Sequence, residues 1–194
     1  RRHSSAASDV YKRQSQWGIN IEYCIQKKPD GIAQAFIIGE NFIKNHSVVL
    51  ALGDNLFHGE GLNESLLTAS KEKVGADIFV YPVKDPQRYG VVEFNEKFEV
   101  TKIEEKPKYP KSKYAVTGLY FYDNKIIEKA KQISPSKRGE LEITDINNMY
   151  LKENKLRAKL MGRGTTWLDT GTYESLQAAG SYICLLYTSD AADE

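Results

Sequence analysis

Three short stretches carry side chains able to do phosphate chemistry. Asp54 stands in Gly53-Asp54-Asn55, directly after the apolar run Ser47–Leu52. Asp169 stands in Trp167-Leu168-Asp169-Thr170-Gly171, ahead of a helical pattern. In open α/β sheets ligands sit beyond the carboxyl ends of strands. Two carboxylates arriving there from separate elements can clamp one Mg²⁺, a hard ion that prefers oxygen. Each aspartate taken alone is equally good turn or helix-start chemistry. The third stretch is Glu104-Glu105-Lys106-Pro107. Pro107 is expected to end the strand and hold Lys106 extended, aiming its ammonium into a cleft as a point charge for a phosphate. Glu105 beside it can accept hydrogen bonds from sugar hydroxyls, although charge runs of this kind also mark solvated loops.

Weaker signals surround these. Gln26 and Pro29-Asp30-Gly31 form a turn into a helix. The glutamine amide offers both donor and acceptor and can match a pyrimidine edge; Gly31 lets a ring approach the backbone. Gly90 and Gly118 lie in or beside strands, in RYGVV and VTGLY. Either a ligand packs on them or they mark bulges. Arg138 and Glu140 precede a helix and can meet a ligand or serve as ordinary helix-end charges. His46 and His58 have no metal-ligand spacing and read as surface residues.

The elements that must position these groups alternate between strand and helix patterns, as in an α/β sheet protein. Strands are expected at Ile19–Gln26, Ser47–Leu52, Ile78–Val83, Tyr114–Tyr122 and Leu156–Met161, and a hairpin at Gly90–Phe94 and Val100–Glu104. The continuous run SVVLAL predicts a strand buried on both faces. Helices are expected after Asp30-Gly31, with Ile32, Ala35, Phe36, Phe42 and Ile43 on an apolar stripe, and near Asn63–Lys73. Others are expected over Ile126–Ala130 with Asp123 as cap, Leu141–Glu153 and Thr172–Ile183.

Apolar content is 41%, and 27 basic against 26 acidic side chains leave a net charge of +1. That balance gives no electrostatic case for nucleic acid or an anionic membrane as main partner, and no apolar run is long enough to span a bilayer. Cys24 and Cys184 show no metal spacing, so a reducing cytoplasm is the expected location. The two ends read differently from the rest. SSAASDVYKRQ (residues 4–14) can be encoded by a stretch whose reverse complement, read one base out of frame, gives CLLYTSDAADE (residues 184–194). Residues 1–14 and 184–194 are therefore expected to be non-native, adapter-derived tails without periodicity continuous with their neighbours. They would flank a domain fragment at residues 15–183, truncated at both ends.

In order along the chain, IQKKPDGIAQAF, LALGDNLFHG, DPQRYGVVEF, IEEKP, YAVTGLYFYD, RGELEITDIN and MGRGTTWLDTGT resemble the glucose-1-phosphate thymidylyltransferase family of sugar-phosphate nucleotidylyltransferases. The resemblance implies a doubly wound, mostly parallel nucleotide-binding sheet with a sugar-binding subdomain. It implies transfer of dTMP from dTTP to α-D-glucose 1-phosphate with release of pyrophosphate, within dTDP-rhamnose and cell-surface polysaccharide synthesis, by a homotetramer. It assigns Gln26 and Gly31 to the thymine base and Asp54 and Asp169 to Mg²⁺. It assigns Gly90, Glu105, Lys106, Val116 and Tyr120 to glucose 1-phosphate, with Lys106 on the phosphate and Arg138, Glu140 and Trp167 nearby. The family's glycine-rich triphosphate loop has no counterpart in these residues, so an inactive, poorly stable fragment is expected. A UTP- or CTP-using relative, or a non-catalytic nucleotide-sugar-binding paralogue, fits the same residues less completely.

Overall fold

A computed structural model of the chain describes residues 18–190; residues 1–17 and 191–194, which include the whole of the first expected tail, lie outside the described residues. Among the described residues two short helices come first, α1 (Gln34–Ile38) and α2 (Glu40–Ile43), followed by β1 (Val48–Ala51), β2 (Asn55–Gly59) and α3 (Leu62–Lys71). Next are β3 (Ala76–Pro82), a 3₁₀ turn at Pro86–Arg88, the hairpin β4 (Gly90–Phe94) and β5 (Val100–Glu105), and β6 (Tyr114–Tyr122). The chain continues through α4 (Ile126–Gln132), α5 (Ile143–Lys152), β7 (Leu156–Leu160), β8 (Thr165–Asp169) and α6 (Tyr173–Asp190).

The main sheet runs β5-β4-β6-β3-β7. The long strand β6 pairs along one edge with β3. Its other edge is shared, β4 taking Tyr114 and Ala115 and β1 taking Leu119–Tyr122. The sheet is mixed and mostly antiparallel: among these pairings only β3 with β7 is parallel. A mostly parallel sheet requires a helical crossover between successive strands, and β4, β5 and β6 follow one another with none. Among the described residues α-helices intervene between strands only ahead of β3, where α3 lies, and between β6 and β7, where α4 and α5 lie.

Helices nevertheless cover both faces. Ile78 and Val80 of β3 join a core with Phe36, Ile126, Ile146 and Tyr150 from α1, α4 and α5. Phe79, between them, joins a second core with Ala69 of α3 and Trp167 of β8. Strand β3 is therefore buried on both sides, as its apolar run predicts. Strand β1 is not. Val48 and Leu50 pack on the first core, whereas Val49, on the opposite face, is 51% exposed.

Other expectations fail locally. Residues 19–26 form no strand, and Ile19, Tyr23 and Ile25 are exposed. Alternation alone does not make a strand. The helix after Gly31 starts only at Gln34 and breaks at Gly39. Asp30 does not cap it: its backbone carbonyl accepts from Leu141 N at 2.7 Å and its carboxylate from Gln34 Nε2 at 2.9 Å. Helix α6 runs through residue 184 to Asp190, so the second expected tail is helical in its first part, although Leu185 and Tyr187 are exposed there.

Asp123 is the most consequential correction. Lys125, not Asp123, occupies the cap position of α4. Asp123 is buried and crosslinks three elements. Its Oδ2 accepts from Gly75 N at 2.7 Å, and its Oδ1 accepts from the Tyr150 hydroxyl at 2.6 Å and from Lys125 N at 3.0 Å. Removing a buried acceptor strands its donors. Asp123→Ala should cost about 2–4 kcal/mol in chemical denaturation, while Tyr150→Phe should cost about 1 kcal/mol; equal losses would contradict a crosslinking role.

Candidate active site

The strands β2 and β8, neither anticipated from periodicity, form a separate two-stranded ribbon. Its antiparallel register pairs Asn55 with Asp169 and Phe57 with Trp167. This places Asp54, just before β2, beside Asp169, the last residue of β8. Thr170 fastens the end of the ribbon: its N–H and its hydroxyl both donate to the Asp54 carbonyl at 2.8 Å. The carboxylates converge near Gly171, where a methyl group would lie 3.0 Å from Asp169 Oδ1 and 3.8 Å from Asp54 Oδ2.

Asp169 is held on both oxygens. Oδ1 accepts from Gly171 N at 3.0 Å, and Oδ2 accepts from the Tyr89 hydroxyl at 3.2 Å with the Arg88 guanidinium at 3.5 Å. Burial, together with the nearby Asp169 carboxylate, pushes the Tyr89 phenol up to about 12. It therefore stays protonated at neutral pH and can only donate to Asp169. Asp54 has a lighter hold, accepting from Asn55 Nδ2 at 2.8 Å. Both carboxylates are hard oxygen donors. Among the described residues no three or more His, Cys, Asp or Glu side chains gather to cage an ion. A cation here would take two carboxylates and complete its shell with water and phosphate, as Mg²⁺ does.

The same cleft continues from the aspartates to the ends of β4 and β5. It is lined by Gly90, Glu105, Lys106, Val116 and Tyr120, and by Arg138, Glu140 and Trp167 at its sides. Glu105 pairs across the hairpin with Gly90. Its Oε2 accepts from Thr144 Oγ1 at 2.6 Å, and Oε1 lies 3.9 Å from the Arg138 guanidinium. Arg138 also reaches Glu140 and Glu142, so three carboxylates share one cation there. Tyr120 and Val116 are buried, forming an apolar floor. The expectations of a bulge and of a close approach at glycine are both met in part. β6 bulges opposite Phe79, where Thr117 Oγ1 donates to the Phe79 carbonyl at 3.1 Å. At Gly90 a methyl would meet Thr144 Oγ1 at 3.1 Å.

Lys106 lines this cleft but is not extended as expected. Its φ is +42°, in the left-handed region, and its N–H donates to the Tyr89 carbonyl at 3.0 Å. A residue before proline avoids the right-handed helical region, and the bond to Tyr89 selects the left-handed alternative over the extended one. Such backbone conformations persist where the surroundings enforce them and concentrate at functional sites. Gln26 and Gly31 lie outside the cleft lining. Gln26 Nε2 donates to the Gly31 carbonyl at 3.0 Å and to Gln34 at 2.7 Å, and Ile32 beside them does line the cleft. Gly31 must be glycine for a local reason: φ is +101°, and a methyl would meet the Leu141 carbonyl at 2.4 Å. His46 and His58 are exposed, as expected. Asn55, Tyr89 and Thr144 were not singled out by the residue patterns; the one signal was the pair of glycines, 90 and 118, making room for something.

A family model described as nucleotidyl transferase matches residues 1–184. The chain belongs to the nucleotidyl transferase family. The similarity extends to curated glucose-1-phosphate thymidylyltransferases. That of Neisseria meningitidis serogroup A / serotype 4A is 57% identical over 169 residues, covering 87% of this chain and 59% of the relative. That of Xanthomonas campestris pv. campestris (strain B100) is 52% identical, covering 87% and 57%. The chain thus spans less than two thirds of the length of these family members. A Bacillus anthracis structure assigned as a glucose-1-phosphate thymidylyltransferase, solved in complex with a sucrose, superposes with a TM-score of 0.78 at 40% identity. It covers 92% of this chain and 71% of that one. A UDP-glucose pyrophosphorylase shares the family fold at a TM-score of 0.74 and 22% identity, covering 94% and 74%.

The Lys106 backbone gives a direct test of the cleft geometry. Alanine and glycine both remove the ammonium, but only glycine adopts φ +42° without strain. Lys106→Gly should fold more stably than Lys106→Ala by roughly 0.5–1 kcal/mol in denaturant titrations. The reverse order would show that the left-handed turn is not populated.

Proposed function

We propose that this chain carries the metal pair and the sugar-phosphate subsite of a glucose-1-phosphate thymidylyltransferase. The observation that supports this best is the single cleft joining Asp54 and Asp169 at one end to Glu105 and Lys106 at the other. In this reading an oxygen of the glucose 1-phosphate phosphate bonds to the α-phosphorus of dTTP. The bond from that phosphorus to the bridging oxygen breaks, and pyrophosphate leaves with the electron pair. The products are dTDP-glucose and pyrophosphate. No protein nucleophile is needed, so the chain contributes position and charge.

Lys106 makes no ion pair among the described residues, and its ammonium is assigned to the sugar phosphate. Glu105, fixed by Thr144, accepts from sugar hydroxyls. Gly90, Val116 and Tyr120 provide the surface against which the sugar ring packs. Gln26, next to Gly31, is assigned to the pyrimidine edge, exchanging its present bonds to Gly31 and Gln34 for bonds to the base. Asp54 and Asp169 would hold Mg²⁺, which when bound neutralises phosphate charge. Tyr89 and Arg88 keep Asp169 oriented for that ion. The whole protein would act in the cytoplasm as a homotetramer, supplying dTDP-glucose for dTDP-rhamnose and cell-surface polysaccharide synthesis.

The test uses a protein restored to the full length of its relatives. Lys106→Ala should lower kcat/KM for glucose 1-phosphate by about a hundredfold or more and leave the KM for dTTP within a few-fold. Equal losses for both substrates would remove Lys106 from the sugar phosphate. UTP in the same assay reads the base: turnover equal to that with dTTP would replace thymidylyl by uridylyl transfer.

A further inference from the structure

The side chain of Asn55 bridges β8, β6 and the Asp54 turn. Its Oδ1 accepts from Trp167 Nε1 of β8 at 2.6 Å and from Gly118 N of β6 at 3.0 Å. Its Nδ2 donates to Asp54 Oδ1 at 2.8 Å. The fit is tight on the β6 side, since a methyl on Gly118 would lie 2.6 Å from both Cγ and Oδ1 of Asn55. Gly118 is thus an empty socket in a strand of larger residues, and Asn55 fills it. That socket occurs at the bulge, where the ladder leaves the Gly118 N–H free to turn toward Asn55. Only an amide can do all this. An aspartate keeps the two acceptor bonds but presents no donor to a neighbouring carboxylate, and a leucine of similar size leaves a buried indole N–H and a backbone N–H unpaired.

We propose that Asn55 is a positioning residue that couples the aspartate pair to the sugar side of the cleft. It sets the direction of the Asp54 carboxylate from the wall formed by Trp167 and β6, so that the two ends of the cleft keep a fixed separation. The proposal rests on the reading of Asp54 as a metal ligand for its functional meaning, and on geometry alone for the coupling itself. Partners that orient a ligating group change metal affinity by roughly 10–100-fold when removed.

The test uses the chain with Trp17 replaced by Phe, so that Trp167 is the only indole. Mn²⁺ binding is followed by the electron paramagnetic resonance signal of the free ion, and the environment of Trp167 by its fluorescence. Asn55→Ala should weaken Mn²⁺ binding at least tenfold and shift the Trp167 emission, with Asp54→Ala as the reference for loss of the site. Gly118→Ala changes no polar group, yet it evicts Asn55 and should produce both effects. The decisive arm is the double variant Asn55→Ala/Gly118→Ala. Alanine at 55 leaves room for the new methyl, so the pair should behave like Asn55→Ala alone, strongly non-additive. Additive losses, or Gly118→Ala with native Mn²⁺ affinity and emission, would overturn the proposal even if a variant were less stable. If Asp54→Ala leaves Mn²⁺ binding unchanged, the metal reading fails separately, and a non-additive emission shift still supports the coupling.

Discussion

The site depends on one pairing: five residues of β2 against five of β8, more than a hundred positions apart in the chain. Each strand alone is too short to hold its conformation, and an isolated two-stranded ribbon is marginal in water. What stabilises the ribbon is its apolar face. Trp167 and Phe57 pack onto the second core with Phe79 and Leu119, and Tyr89 and Tyr81 meet the Trp167 ring edge-on at 5.2 and 6.1 Å. Because the register is fixed by that burial, a one-residue slip would carry Trp167 out of the core and Asp169 away from Asp54. Packing thereby determines where the two carboxylates stand.

The charges in the cleft follow a similar logic. At one end two carboxylates lie close together, and Arg88 partly offsets Asp169. At the other, Arg138 sits among Glu105, Glu140 and Glu142. Lys106, directly after β5, is the cation of this cleft with no carboxylate partner among the described residues. Under the proposed function the cleft has to receive several negative charges, and this arrangement would offer one cation to a phosphate and a pair of carboxylates to a metal. Asp54, Asp169 and Lys106 reach the cleft from strand ends and the loops after them, while Val116 and Tyr120 line it from within β6.

Much of this was legible in the residues. β6 is bounded as its pattern predicts, and the hairpin β4–β5 differs by one residue at its end. Glu105, Lys106, Gly90, Asp54 and Asp169 do share one cleft. The rest depended on tertiary facts that a sequence does not display. TTWLD and NLFHG alternate too briefly to separate from loop, and only mutual pairing makes them strands. Asn55 reads as turn chemistry because its three partners come from Asp54, Gly118 and Trp167, two of them remote. The hairpin was legible, but the mostly parallel sheet implied by the family resemblance is not what forms, because β4, β5 and β6 follow one another without a helix and pair antiparallel. Gly31 read as turn chemistry or as a ligand contact, and the Leu141 backbone supplies a local reason for the glycine that no sequence pattern displays.

Convergence of Asp54 and Asp169 on one cation is the claim on which the metal, phosphate and positioning roles all turn. The most direct measurement is a crystal of the chain grown with Mn²⁺, with diffraction collected at the manganese edge. A single anomalous peak bridging the Asp54 and Asp169 carboxylates, beside Gly171 and within the cleft that also holds Lys106, is the expected result. A peak elsewhere, or density showing the two carboxylates turned to opposite faces of the β2–β8 ribbon, would contradict it.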